Sequence, residues 1–282
     1  MLRVTESVHT EPTMISQLVR MAMLQILLQP VWEGLANHQW TDGELAALDA
    51  ELGKLDFLAD YHFSMRVERT FAVGIIDYVR RSRTEIENET SDFNDDERAF
   101  DSSFKFQMHL ARFGPGGWFE QNKVACCRMN FDVLVPIVNR ETRVVSPIAA
   151  AHTTNAWKEV RLTPCNWLTR LFLPALGNAS PRFARAQAST DMARIACALE
   201  RYRLAHGNFP ETLDALTPQF MEKIPHDVIG GKPLHYRRTS DGQFLLYSVG
   251  WNETDDGGKV GLAEKGNVDW KQGDWVWRYP AN

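Results

Sequence analysis

The sequence predicts an α+β protein, with an N-terminal all-helical domain followed by a long helix packed on a small antiparallel sheet, and three observations carry that reading. Met192, Ile195, Leu199 and Tyr202 recur three and four residues apart, which puts them on one stripe of a helix. Downstream, Leu234 and Tyr236 alternate with His235 and Arg237, the turn Ser240-Asp241-Gly242 follows, and Phe244 to Val249 reads as a returning strand. Upstream, Leu45, Leu48, Leu52 and Leu55 keep the helical spacing and call for burial against neighbouring helices. The boundary falls near Arg182, giving a helical domain over residues 1–182 and a helix-plus-sheet domain over residues 183–282.

With 282 residues, 44% of them hydrophobic and 24% charged, the chain has enough apolar material for a sizeable core and is not a disordered protein. A formal net charge of −5 gives no general attraction to nucleic acid. The cysteines Cys126, Cys127, Cys165 and Cys197 form no CxxC pair and no metal-finger spacing, so they read as buried or spare thiols, with a single disulfide as the other reading.

Taken in order, Leu18 to Leu28 is the most apolar run near the N-terminus. Arg20 and Gln25 break it and Gln29-Pro30 closes it, so it reads as an amphipathic core helix. It falls short of the roughly 18 apolar residues of a membrane span, and Met1 to Thr5 shows no secretory signal. On this reading the chain meets a membrane only through a segment missing from it, upstream of Met1.

Trp40-Thr41-Asp42-Gly43-Glu44-Leu45 is a helix start: Thr41 accepts from the Glu44 amide, Glu44 reaches back to the Thr41 amide, and Trp40 closes over Leu45. Met65, Glu68, Phe71, Ile75 and Tyr78 mark one face of a second long helix ending near Arg80, with Glu68 at the edge of that face. The carboxylate-rich run from Glu85 to Asp101 repels itself and reads as a solvated loop. Phe113-Gly114-Pro115-Gly116-Gly117-Trp118 is a turn that launches helix through Met129 and Val133; it lacks the lysine and hydroxyl residue of a phosphate loop. Trp157 and the run from Trp167 to Leu173 give further helical turns, which Pro174 interrupts and Gly177-Asn178 ends.

The C-terminal helix then runs from about Phe183 to His206, its Met192 to Tyr202 stripe covering the sheet, with Arg194, Arg201 and Arg203 largely off the stripe. Glu200 and Arg203 read as a weak surface pair. Gly207-Asn208 stops the helix, Leu213 and Leu216 face inward on a short helix ended by Pro218, and Asp274 to Trp277 supplies a last strand.

Met192 to Gly207, Phe209-Pro210-Glu211-Thr212-Leu213, Asp227 with Gly231 to Tyr236, and Leu246 to Gly250 through Asp255-Asp256-Gly257-Gly258 together resemble the globular part of the major pseudopilin of type II secretion systems. The resemblance covers about a third of the chain, and the whole chain is similar to large bacterial families, with no known activity, that end in this same module. It implies a long helix on a small antiparallel sheet and a calcium ion (Ca2+) pinning the loop after the hairpin. The ligand set it implies is Ser248 through its backbone carbonyl, Asn252, Asp256 with Asp255 as an alternative, and Asp274. Asn252 stands where the pattern has an aspartate, and the insert from Lys259 to Gly273 is long. A metal-free loop held by hydrogen bonds is the other reading, since Asn, Asp and Gly are ordinary turn residues. The chain also lacks the processing site and long apolar segment that drive fibre assembly in that family.

His226, Asp227 and His235 are the residues most like a catalytic metal set, but Asp227 heads a turn where its side chain bonds nearby amides and His235 alternates outward. Trp251, Trp270, Trp275 and Trp277 read either as a sugar or peptide platform or, for Trp275 and Trp277, as a closing strand packed on the sheet. No GxSxG, HExxH or dinucleotide fingerprint is present. The sequence therefore predicts a non-enzymatic structural or interaction protein of the bacterial cell envelope or periplasm, with protein partners and no nucleic acid. It would be membrane-anchored if the N-terminus is truncated and cytoplasmic if Met1 is the true start. The alternative is a hydrolase-like enzyme with a pocket between the two domains, which needs a deep cavity with convergent polar groups.

Overall fold

Helix α1 (Met14–Ala36) begins at Thr13, whose side chain accepts the Ser16 amide at 3.2 Å. A carboxylate completes the cap: Glu68 Oε1, the polar residue at the edge of its own helix, accepts the Met14 amide at 2.7 Å. This structure, a computed structural model, describes residues 7–8, 10–81, 114–159 and 161–277, so the carboxylate run from Glu85 to Asp101 lies outside the described residues.

α1 does not stop at Pro30. The proline lies inside the helix with its ring exposed, where its missing N–H costs one hydrogen bond without ending the helix. Twenty-three residues at 1.5 Å each make a rod of about 34 Å, and the helix is long and apolar enough to cross a membrane by length and composition. The expectation that membrane contact needs a segment missing from the chain is therefore overturned. The sequence reading ended the apolar run at Gln29-Pro30 and left out Val31, Trp32, Leu35 and Ala36, which the helix adds. An apolar N-terminal helix of this kind is consistent with a membrane anchor or a signal sequence. Within the fold, Met21, Leu24, Leu28, Val31 and Leu35 are buried, while Ile15, Val19 and Ile26 are exposed on the opposite side.

α2 (Asp42–Leu52) carries the reciprocal capping box, with the Thr41 amide donating to Glu44 Oε2 at 2.9 Å. α3 (Phe57–Arg81) follows, but it buries a different face from the expected one. Phe57, Leu58, Tyr61, Met65, Ala72, Ile76 and Val79 are inside, and Phe71, Ile75 and Tyr78 are exposed. The helix is apolar on two sides, and only its neighbours decide which side is core. Ala72, Ile76 and Val79 meet Phe119, Cys126, Trp167 and Leu168 in a small cluster of their own. Buried Arg20 of α1 donates to Asp60 of α3, a pairing that the low dielectric demands of both charges.

α4 (Gly116–Arg128) continues through a π-helical segment (Met129–Leu134) and a 3-10 turn (Val135–Ile137) into β1 (Val138–Asn139), which pairs antiparallel with β2 (Val144–Val145). Among the described residues up to Arg182, the chain is thus helical with one short ribbon. α5 (Pro147–Glu159) and α6 (Trp167–Gly177) follow, and α6 runs through Pro174 rather than breaking there.

α7 (Ser180–His206) is the axis of the molecule and ends on Gly207, whose φ of 83° is the left-handed conformation a helix terminus favours. It packs against α2, α1 and α3, and against the last strands of the chain. The Met192 to Tyr202 stripe was expected to cover the sheet, yet helices surround most of this helix, and Phe183, Ile195 and Leu199 are fully buried. Several of its polar residues are buried too. Glu200, only 1% exposed, accepts from Arg203 Nη2 at 2.7 Å and sits 2.9 Å from His38 Nδ1. That pair is no surface pair.

After the 3-10 turn Leu213–Leu216, β3 (His235–Arg238) and β4 (Phe244–Ser248) form the hairpin, with Tyr236 opposite Leu246. β7 (Trp275–Trp277) adds antiparallel on the other side of β4, giving the order β3-β4-β7. The insert contains a second ribbon that the sequence reading did not resolve, β5 (Val260–Leu262) with β6 (Val268–Gly273). Val145 of β2 donates to Val228 O at 2.8 Å, and one continuous cluster of buried residues runs from Met14 to Trp277. The architecture is mixed α+β, N-terminal helices with small antiparallel C-terminal sheets packed on helices.

Candidate functional site

The loop after β4 is built around carboxylates that accept from backbone amides. Asp274, 2% exposed, takes the Asp256 amide on Oδ1 at 3.3 Å and the Gly258 amide on Oδ2 at 2.6 Å. Burial raises its pKa, and the fields of Asp256 and Asp255 raise it further against those two hydrogen bonds. Asp256 Oδ2 accepts from Asn252 Nδ2 at 2.9 Å, and Asn252 Oδ1 accepts the Thr254 amide at 3.3 Å. Asp255 turns to the other side of the loop, where it accepts from the Gly257 amide at 2.9 Å and the Tyr247 hydroxyl at 3.0 Å and lies 3.5 Å from His235 Nδ1. The Gly257 bond, the largest influence, holds Asp255 below the usual carboxylate range.

Ser248 belongs to a neighbouring network. Its hydroxyl donates to Asp227 Oδ1 at 2.8 Å, while Asp227 also accepts the Ile229 amide at 2.9 Å and the Val249 amide at 3.1 Å. Asp227 is thereby a buried pin between the turn at 227–231 and the end of β4, its pKa raised by burial. His226 faces away, to Thr142 O at 3.0 Å, and His235 stacks on Tyr247 with ring centroids 4.8 Å apart. These three residues do not converge. Among the described residues, no group of three or more His, Cys, Asp and Glu side chains is arranged to hold a metal ion.

The donor chemistry of the loop still suits a hard cation. Asp256 and Asp274 have no ion pair among the described residues, and the field of Asp256 raises the Asp274 pKa although both carboxylates accept hydrogen bonds. The neutral oxygens available with them are the Asn252 side chain and backbone carbonyls near Ser248.

A second feature lies where the alternative reading put a pocket, but its lining was not legible in the sequence. A half-open groove of about 490 Å³ runs between α1, α7 and the β5–β6 ribbon with β7, where the two halves of the chain meet. Leu28 and Trp32 of α1, Met192 of α7, and Val268, Trp275 and Trp277 supply much of its mainly apolar lining. Trp275 and Trp277 are buried strand residues, and the Trp275 indole donates to Trp270 O at 2.8 Å. Arg185 was missed because it precedes the apolar stripe. Its only signal is position, four residues before Ser189 and seven before Met192, one side of the same helix.

Comparison with family models, curated proteins and solved structures finds no match to this chain.

Proposed function

We propose that this chain is a non-enzymatic structural or interaction protein of the bacterial cell envelope, with a pseudopilin-like C-terminal half and α1 as the element that meets the membrane. The observation that carries the reading is the pairing of an apolar helix of membrane-spanning length with a 27-residue helix set against a small antiparallel sheet. The mainly apolar, half-open groove also favours binding over turnover, because catalysis needs several polar groups aimed at one point. In the loop after β4, Asp256, Asp274, Asn252 and nearby carbonyls would hold calcium, which would neutralise the paired carboxylates and fix the loop.

Fractionation of cells expressing the native locus tests the envelope reading. Recovery with membranes or periplasm is the expected result, and recovery of the full chain entirely in the cytosol overturns it.

A further inference from the structure

The groove between α1 and the β5–β6 ribbon holds one charged group in an unusual state. Arg185 is half-buried and lines the groove, yet it makes no ion pair or hydrogen bond among the described residues. Every other arginine described on α7 beyond the first turn, namely Arg194, Arg201 and Arg203, has a carboxylate partner. Burial pulls the Arg185 pKa down, because the charged form is the one that loses hydration in the groove. An arginine that has given up part of its water without gaining an anion leaves guanidinium N–H donors open to one.

The surroundings specify the rest of the ligand. On α7, Arg185, Ser189 and Met192 follow one another along one side of the helix; on α1, Gln25, Leu28, Gln29 and Trp32 do the same. Seven residues at 1.5 Å give each wall a length of about 10 Å. Val268 and Leu262 close the third side and are themselves exposed, at 55% and 64%. The Trp277 indole N–H is a second buried donor with no acceptor among the described residues. The groove volume lies within the range of small-ligand sites.

We infer that this groove binds an alkyl carboxylate, its head group paired with Arg185 and its chain running along the wall toward Met192. Arg185 selects the head, against the field of Asp269 and Asp274 that also line the groove, and the apolar walls select the chain. The inference rests on α1 staying packed against α7, so it agrees with the envelope reading only where α1 meets the membrane by its exposed Ile15, Val19 and Ile26 face; it does not rest on a bound calcium ion.

Titration calorimetry of the full chain tests it, with octanoate and 1-octanol as probes. Octanoate is expected to bind saturably and at least about tenfold more tightly than 1-octanol, as one charge-assisted pair of about 1.4 kcal/mol or more requires. Arg185→Gln should erase that difference while leaving 1-octanol binding unchanged, and Val268→Asp should weaken octanoate by a similar factor. Arg182→Gln, at an exposed position on the same helix, should change nothing. Equal binding of the two probes, unaltered octanoate binding in Arg185→Gln, or saturable binding of an apolar peptide amide with none of octanoate would each overturn the assignment.

Discussion

Asp191 offers the sharpest test of the packing around α7. It is 5% exposed, accepts a hydrogen bond from Gln187 Nε2 at 3.1 Å, and has its pKa raised from 3.8 to about 6 chiefly by burial. Arg143 and Arg194 pull against that shift and Asp56 adds to it, but the two arginines hold carboxylates of their own, Asp56 and Asp49. A folded-state pKa above the unfolded one means that the native protein keeps a proton the unfolded chain has lost. Stability therefore falls as pH rises from about 4 to about 6 and stays lowered above that window. Two pKa units correspond to about 3 kcal/mol, an upper figure for the ionisation cost.

Asp191→Asn keeps an acceptor for Gln187 and removes the ionisation. The variant should match the wild type near pH 4 and be more stable at pH 7.5 by up to about 3 kcal/mol. That is roughly 6 °C in melting temperature for a chain of this size. Thermal melts of both proteins across pH 4–8 measure it, and the difference between them cancels the other buried carboxylates described, Asp60, Glu200, Asp227 and Asp274. A variant that is less stable at pH 7.5, or a difference that does not change with pH, would refute the argument.

Leu199→Ala, at a fully buried position, should cost about 2–5 kcal/mol in denaturant unfolding, while the exposed Arg182→Ala stays near zero. A methyl added at Gly34 would stand 2.1 Å from Trp40 Nε1, so Gly34→Ala should cost about 1–3 kcal/mol despite the better helix propensity of alanine, and less in a Trp40→Ala background. Millimolar calcium should raise the melting temperature relative to chelator, since a cation bound only to the folded state adds RT ln(1 + [L]/Kd). Asp256→Ala combined with Asp274→Ala should abolish the rise, and identical wild-type melting in both conditions rejects the site.

The locally encoded parts of this fold were legible. The Thr41 capping box, the Gly207 stop, the hairpin at 235–248 and the strand at Trp275–Trp277 each depend on residues close in sequence, and each stands where the pattern put it. Errors arose where a long-range neighbour decides. Phe71, Ile75 and Tyr78 repeat at helical spacing as well as Ala72, Ile76 and Val79 do, and only the arrival of Phe119 and Trp167 makes the second set core. Proline misled twice: Pro30 and Pro174 are poor helix residues by local rule, yet the flanking apolar turns of α1 and α6 carry the helix past them. The donor set of the loop could be named in sequence, but not that Asp255 turns to Tyr247 while Asp274 turns inward.

The polar residues of α7 extend the same logic from fold to surface. Gln187, Thr190, Asp191 and Glu200 would mark a solvated face on an isolated helix, and here they are buried because helices cover α7 on more than one side. Each finds a specific partner. Gln187 accepts the Phe57 amide at 2.9 Å, Thr190 donates to Ala186 O at 2.9 Å, and Glu200 gathers Arg203 and His38. An unmet polar group at such depth costs more than a hydrogen bond gains, so the two contacts that leave α7, from Gln187 to Phe57 and from Glu200 to His38, help fix its rotation among its neighbours. That rotation is what turns Arg185, Ser189 and Met192 together toward α1 and β6. The groove is thus set by the buried network as much as by its own walls.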